Sequence, residues 1–470
     1  MDNLYDIKPL ESQIINYVNN KERLAFYFSA MFRDMSYAIM AFLSYYYVDV
    51  MGLPGFGLSL VMIISRFWDG INDPIIGVYF DKSVSKEGKA IPFLRKTAIP
   101  ISILIIMIFY SPTFSSNPTV NTWIRIVYAL VTYVIFEGLH TLNGTSFMSL
   151  YNSITPNVQE KGKVISISRL FSTIGTAIAG GGIPILLGFF SNDDVLAKTY
   201  IYFGMGVFVG ICFLIYNFLM VKYVKERVLV VSETKQDTKN MFKIFVKNKL
   251  LLLMIISNSI GGLINAGNTG LWFYTYNMGN PALFTYVQLG GFPTLILGTL
   301  LVPHLMKKYD KSKIMIVCFF GQVAVSLLFL AVGYPSIWFV VFIFTLQTLP
   351  QTIRGVLYWS MITDTVDYSE WKTGKRNDGM VFAIEGFLGK CIGSFGAVST
   401  VIIIAIIGFV PNALTQSEST MKGLFYVPLI ISIVSTLLSV IPYFFFKFSR
   451  KDHEIALAEI KARKELQIES

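Results

Sequence analysis

Stretches of about twenty apolar residues, the length a helix needs to cross a bilayer, recur twelve times along this chain: 24–48, 58–80, 97–112, 120–146, 166–190, 199–221, 250–277, 282–305, 314–334, 336–362, 379–409 and 423–447. A chain built this way folds as a bundle of membrane-spanning helices. Its make-up agrees, at 54% hydrophobic and 14% charged residues, where ordinary soluble domains carry about 25% charge. The net charge of +10 then needs no nucleic acid to explain it, because basic residues of membrane proteins collect in cytoplasmic loops.

Those basic residues also test the count. Loops after even-numbered spans hold Lys82, Lys86, Lys89, Arg95 and Lys96; Lys161 and Lys163; eight Lys or Arg between 222 and 249; Lys307, Lys308, Lys311 and Lys313; then Lys372, Lys375 and Arg376. The other loops hold only Lys198 and Lys422. By the positive-inside rule both termini lie in the cytoplasm, and one span missed or invented would invert the alternation beyond it. The third span is short and the fourth carries Glu137, so their bounds are the least sharp. Cys212, Cys318 and Cys391 all lie in apolar stretches and imply no disulfide framework. Residues 1–20 lack the pattern of a cleaved signal, so the first span is expected to direct insertion.

The spans divide into two sets of six. The expected organisation is a cytoplasmic segment 1–23, a first bundle 24–221, a polar cytoplasmic linker 222–249, a second bundle 250–447 and a cytoplasmic tail 448–470 that reads as a short amphipathic helix. A faint internal echo supports the division. Asp81-Lys82 follows span two as Asp310-Lys311 follows span eight, and SLYNSIT (149–155) precedes span five as YWSMIT (358–363) precedes span eleven. Two six-helix halves with a site between them are the major-facilitator pattern.

Several ionisable residues fall inside these spans, where a charge costs about 2.5–3.5 kcal/mol even on lenient scales. Asp69, Asn72 and Asp73 sit at i, i+3 and i+4 and share a helix face. Arg66 lies one turn earlier, and Pro74 removes the N–H that would bond the carbonyl of Gly70. Two carboxylates, an amide and a freed carbonyl suit a small hard cation or a proton. The plainer reading is a structural cluster neutralised by Arg66, but one arginine cannot neutralise two carboxylates. Such a pair titrates together, one pKa raised by the other's charge, so a proton can replace a metal ion. Asp34 beside Arg33 is either an ion pair tying helices together or an acceptor facing a cargo. Glu137 and Thr141 share a face of span four; Arg169 opens span five and is either functional or a snorkelling boundary residue. Glu385 and Lys390 lie on span eleven, and Lys390 needs an anionic partner or water. His140 reads as a packed helix residue, and no metal-spacing cluster occurs.

Three longer motifs, YYYVDVMGL (45–53), RFWDGINDPIIGVYFDKS (66–83) and DTVDYSEWKTGKRNDGMVFA (364–383), resemble the glycoside–pentoside–hexuronide cation symporters, the melibiose-permease-like branch of the major facilitators. The resemblance covers nearly the whole chain. It implies that Asp69 and Asp73 bind a coupling ion (sodium, lithium or a proton), with Asn72 and Thr141 adding neutral oxygens. It implies further that Asp34 accepts from sugar hydroxyls, and that Arg169 and Lys390 lie on the substrate side. Four positions depart from the melibiose type. A second sugar-binding aspartate on span four is replaced by Gly144 with Asn143 beside it, a tryptophan becomes Met148, a glutamine becomes Glu385, and a glycine becomes Glu137. The cation half of the site is kept and the sugar half is rewritten, which points away from a galactoside.

The expected protein is therefore a monomeric carrier of the cell membrane, without a resident cofactor. It would take a glycoside together with a cation by alternating access, with Asp34, Asn143 and Arg169 on the sugar and coupling that is reciprocal. Charges around Asp81-Lys82 and Asp310-Lys311 would bridge the halves when the inner side is shut, or else merely set topology. A lysophospholipid-like cargo on the same fold and a non-transporting sensor are the alternatives. A membrane enzyme would need a nucleophile, metal cluster or catalytic histidine that His140, His304 and His453 do not supply.

Overall fold

The computed structural model describes residues 17–83, 88–190, 194–227, 248–263, 270–374, 402–410 and 415–469, with scattered positions between 381 and 399. Lys390, most of the linker and most of span eleven lie outside the described residues, as do the side chains of Arg66, Asp81 and Lys82.

Among the described residues every element is helical. The first half comprises α1 (Asn20–Met40), α2 (Gly55–Lys82), α3 (Ile91–Ile108), α4 (Pro118–Ser153), α5 (Val158–Leu187) and α6 (Val195–Tyr223). The second comprises α7 (Lys249–Leu263), α8 (Ala282–Gly290), α9 (Phe292–Lys308), α10 (Lys311–Val332), α11 (Ile337–Thr373), α12 (Glu418–Phe444) and a tail helix α13 (Arg450–Glu469). The single span expected at 282–305 is thus α8 and α9, broken at Gly291. After α1 and again before α8, short helical pieces end in a wider π turn, over Tyr46–Val50 and Phe273–Asn277.

Among the described residues, eight helices are long and apolar enough to cross a membrane by length and composition, α8 with α9 counting as one. The other expected spans fall short for visible reasons. Helices α1 and α2 carry the intramembrane charges, α7 is short, and span eleven is mostly outside the described residues. Most helices outrun their apolar stretch; α11 continues eleven residues past the expected end at 362 to Thr373. An apolar run marks only what sits in hydrocarbon, whereas a helix continues wherever its backbone bonds are met. Start signals are explicit: the Asn19, Asn117, Asp194, Ser336 and Ser417 side chains accept from first-turn N–H groups. Gly374 ends α11 with a left-handed φ of 72°.

Within the first half α1 packs on α5 and α6, α2 on α4, and α3 on α4 and α6; within the second, α10 packs on α11 and α12, α9 on α11, and α7 on α12. The two halves meet where α5 crosses α8. Here side chains are small: a Cβ at Gly188 would lie 2.5 Å from the Ala282 Cβ, and Thr285 Oγ1 donates to the Gly181 carbonyl at 3.0 Å. Among the described residues the buried core of the first half is one continuous cluster that also takes in Trp272 and Phe409 of the second half, and the rest of the second half's core falls into two clusters.

Candidate functional site

Helix α2 runs unbroken through Pro74 and presents Asp69, Asn72 and Asp73 toward α4. Asp69 and Asn72 are buried and Asp73 is half-buried. The helices close over Gly138, where a Cβ would come within 3.4 Å of Trp68 Nε1 and 3.7 Å of Asn72 Oδ1. Glu137 stands one residue before that glycine on α4 and Thr141 three residues after it. The Asn72 Nδ2 is buried without a hydrogen-bond partner among the described residues. Those residues hold no cluster of three His, Cys, Asp or Glu. A cation here would draw on the α2 carboxylates and neutral oxygens, as a proton or alkali ion can.

Next to this group lies a second one between α1 and α5. The Arg33 guanidinium pairs with Asp34 Oδ1, from Nη2 at 2.7 Å and Nε at 2.8 Å, and stacks 4.3 Å from the Phe147 ring. The Ser172 hydroxyl donates to Asp34 Oδ2. What lets the helices approach so closely is Gly175, one turn beyond Ser172, whose Cβ would fall 2.1 Å from the Met31 carbonyl oxygen. Arg169 is exposed, and its charge reaches the Tyr151 hydroxyl together with those of Arg33 and Asp34. Asp34 is therefore both a helix tie and an acceptor already in use.

The sequence missed Tyr37, which joins the two groups. Its hydroxyl lies within range of the charges of Arg33, Glu137, Asp34 and Asp69. It also sits 3.3 Å from where a side chain at Gly144 would begin, filling the approach that the resemblance assigns to an aspartate. A single aromatic one turn from Asp34 was the available signal. His140 is a packed residue, edge-on to Tyr37 and bonded to Ser36 Oγ at 3.0 Å.

Asn143 does not join them. Its Nδ2 donates to Thr97 Oγ1 at 2.8 Å and Asn217 Oδ1 at 2.9 Å, and its Oδ1 accepts from the Tyr216 hydroxyl at 2.8 Å. Both N–H groups and the carbonyl are spent on holding α4 to α3 and α6, at 1% exposure, so the expectation of a sugar contact from Asn143 is corrected.

On the second half, Glu385 Oε1 accepts from the Tyr358 hydroxyl at 3.1 Å. Tyr358 lines a cavity of about 670 Å³ between α7, α8, α10, α11 and α12, as do Gln351 and Arg354. Arg354 also escaped the sequence reading, although an arginine eighteen residues into an apolar span is the same signal that marked Asp69.

The halves are tied at the end opposite the linker, the outer end in the topology expected from the basic loops. There Asp49, 1% exposed, accepts from Trp272 Nε1 at 2.5 Å and from the Tyr276 hydroxyl at 2.6 Å. At the inner end the ion pairs between described side chains stay within one half. Glu22 pairs bidentately with Arg227, and Glu160 with Arg23. Lys311 pairs with Asp364, and Asp310 with Lys313. In this state Asp310 and Lys311 serve their own bundle; no bridge across the halves joins them among the described residues.

Residues 29–450 match the family described as MFS/sugar transport protein. Among curated proteins the chain is 27% identical to the uncharacterized symporter YnaJ of Bacillus subtilis, over 90% of this chain and 91% of that one. It is 24% identical to the isoprimeverose transporter of Lactiplantibacillus pentosus, over 95% and 92%. Among solved structures it superposes on a bacterial homologue of the lysosomal transporter Spinster, inward-facing and unoccupied, with a TM-score of 0.63 at 12% identity, covering 90% of this chain and 96% of that one. That last likeness bears on the fold alone.

Proposed function

The chain belongs to the MFS/sugar transport protein family, as a multi-pass membrane transporter and not an enzyme, and we propose that it carries a glycoside across the cell membrane together with sodium or a proton, with both termini in the cytoplasm. The observation that carries this reading is the Asp69–Asn72–Asp73 face of α2, closed at Asn72 against Gly138 of α4. A cation at the two carboxylates neutralises buried negative charge that is otherwise costly. Tyr37 lies between that charge and the Arg33–Asp34–Ser172 group, so occupation of one alters the field at the other. The sugar meets Asp34, Arg169 and Tyr37 from the side of α1 and α5. Glu385 approaches it from span eleven; Lys390, which the resemblance sets on the substrate side, lies outside the described residues. A relative that transports isoprimeverose favours a glycoside.

The bundles tied at Asp49 and separate at the inner ion pairs describe a carrier closed outside. Alternating access then requires Asp49 to release Trp272 and Tyr276, and the inner charges, Asp310 and Lys311 with Asp81 and Lys82 among them, to re-pair across the halves. The carrier works as a monomer, since each half supplies part of the site.

The test is uptake of a labelled glycoside panel, isoprimeverose included, into proteoliposomes with and without an inward sodium or proton gradient. Accumulation of one sugar that requires one gradient, lost in both Asp69→Asn and Asp73→Asn, is the expected result. Gradient-driven uptake that survives both substitutions would sink the cation site.

A further inference from the structure

The Tyr37 hydroxyl sits where α1, α2 and α4 converge. On α1 the side chain lies one turn beyond Arg33 and Asp34, with the guanidinium 5.8 Å from its ring. On α4, Glu137, Thr141 and Gly144 recur at spacings of four and three and so share a face. The hydroxyl stands over that face, 3.3 Å from where a Gly144 Cβ would be. The titratable groups whose charges reach it are Arg33 and Asp34 on its own helix, Asp69 on α2, Glu137 on α4 and Tyr216 on α6, and the His140 ring touches it from α4.

The ring is held and the hydroxyl is not. Ser36 Oγ gives its one proton to the Arg33 carbonyl at 2.6 Å, so it accepts at its 3.0 Å contact with His140 Nε2. That bond sets the imidazole edge-on to the Tyr37 ring, with centroids 4.3 Å apart. On the other flank Arg33 is fixed by Asp34 and Phe147. The Tyr37 hydroxyl makes no hydrogen bond among the described residues, and the residue is 52% exposed although it lies among buried groups. It therefore borders open space between the ion side and the Arg33–Asp34 group.

A phenol has one proton to give. On the α1 side Arg33 and Asp34 cancel one another's charge, whereas toward α2 and α4 the charges are carboxylates. While these are ionised, the proton turns toward them and only lone pairs face the open space. A cation or proton at Asp69 and Asp73 removes that pull, which is strong where water is scarce.

We propose that Tyr37 couples the two ligands: its hydroxyl withholds its proton from the cargo until the ion is bound, and then donates it to a sugar oxygen. The proposal rests on the symport reading and names the residue that carries the linkage within it. Linkage is reciprocal, so a sugar that keeps this proton leaves the carboxylates to the ion and raises ion affinity by the same factor.

Equilibrium binding of isoprimeverose to the purified full-length protein tests this, with sodium or choline chloride at neutral pH and again at mildly acid pH without sodium. Wild type is compared with Tyr37→Phe, which keeps the ring and its contacts with His140 and Arg33. In wild type the ion is expected to tighten sugar binding at least about fivefold, the low end of ordinary coupling. In Tyr37→Phe that ratio is expected to fall below about twofold, with ion-free sugar affinity and melting unchanged. A merely structural tyrosine would shift melting and both affinities together and leave the ratio alone. Gly144→Ser, which sets an oxygen beside the hydroxyl, is expected to lower the ratio with Tyr37 in place, and it decides if Tyr37→Phe does not fold.

Without any sugar, the infrared difference spectrum induced by sodium or acid is expected to carry a tyrosine band that Tyr37→Phe lacks; this decides alone if isoprimeverose does not bind. A full-sized ion effect in Tyr37→Phe, or a difference spectrum without that band, would overturn the proposal and leave symport standing. A wild type in which neither sodium nor acid alters sugar binding or the spectrum would sink the symport reading itself, and this inference with it.

Discussion

The two bundles hold their buried polar groups by different means. In the first, two sets of side chains satisfy one another across helices: Asn143 with Thr97, Asn217 and Tyr216, and Asp34 with Arg33 and Ser172. Buried atoms without a partner among the described residues stand beside them, Asn72 Nδ2 and the Tyr46 and Tyr47 hydroxyls included. In the second, the Arg354 guanidinium makes one hydrogen bond among the described residues, to Gln322, and rests on the Phe319 ring. An unpaired buried polar group costs about 1–3 kcal/mol, so the paired sets of the first bundle are a frame that locks its helices together, where the second relies on a cation–π contact.

The sharpest way to break the contrast is to damage the frame. At Gly175 a Cβ meets backbone, 2.1 Å from the Met31 carbonyl oxygen, and no rotamer change can relieve that. Gly175→Leu is expected to drive α1 from α5, separate Ser172 from Asp34, and abolish transport with much of the folded yield. Even Gly175→Ala should cost about 1–3 kcal/mol, the usual range for overpacking. A melting curve of either variant that matches wild type would show the helices free to slide, and the frame description would fall.

Next in size is the seam between the bundles. Asp49 is the buried acceptor for both Trp272 and Tyr276, and hydrogen bonds to a charged group are worth roughly 1.5–3 kcal/mol each. Asp49→Ala should therefore favour opening of the outer end. A cysteine replacing Ala282, which packs against Gly188 in the seam, should then react with an impermeant maleimide at least tenfold faster than in the parent. An unchanged rate would mean that the α5–α8 contact holds the outer end closed without Asp49.

Much of this architecture was legible in the sequence, because the bilayer imposes a length and a polarity on each span and the basic loops fix the parity. The tail helix was readable too. Distance between helices was not. Nothing in the spacing of Asn143 separates a residue facing a cargo from one facing Thr97 and Asn217, since both are polar positions in an apolar run. Gly138 and Gly175 look like any other membrane glycine until the opposing Asn72 and Met31 are known. Tyr37 was hidden for a related reason: one aromatic among 15% aromatic residues has no visible partner before the fold supplies Asp34, Glu137 and Asp69. Arg354 was different. Its signal was present in span ten, and no motif of the resemblance pointed to it.

Asn143 offers a smaller test of the same contrast. Asn143→Ala removes three hydrogen bonds and strands Thr97, Asn217 and Tyr216 in the core. A loss of about 1–3 kcal/mol in stability is expected, with sugar affinity in the folded fraction unchanged. A rise in sugar Kd with normal melting would return Asn143 to the cargo side.

The smallest expected effect concerns the tail, which among the described residues packs on α11 of the second bundle. Ala456 and Ile460 are buried one turn apart, His453 bonds Asp367 at 3.0 Å, and Trp371 Nε1 donates to Glu459 at 2.7 Å. Two carboxylates fix its start. The Lys313 ammonium and the Arg450 N–H hold Asp310 below the usual carboxylate range, and the backbone N–H and hydroxyl of Ser449 do the same for Asp452. A carboxylate whose pKa is lowered by folding stabilises above its unfolded value, about 3.9 for aspartate, and loses that contribution as pH falls through the folded value. Both pairs are largely solvent-facing, so each is worth at most about 1 kcal/mol and is weakened by salt. Asp310→Asn should loosen the tail slightly, read as faster limited proteolysis between Phe448 and Arg463. The ratio of its rate to that of wild type should stay constant from neutral pH down to about 4 and approach one below that. A ratio that changes between pH 5 and 7 would show that a group other than Asp310 sets the clasp, and would take the tail's start away from that carboxylate.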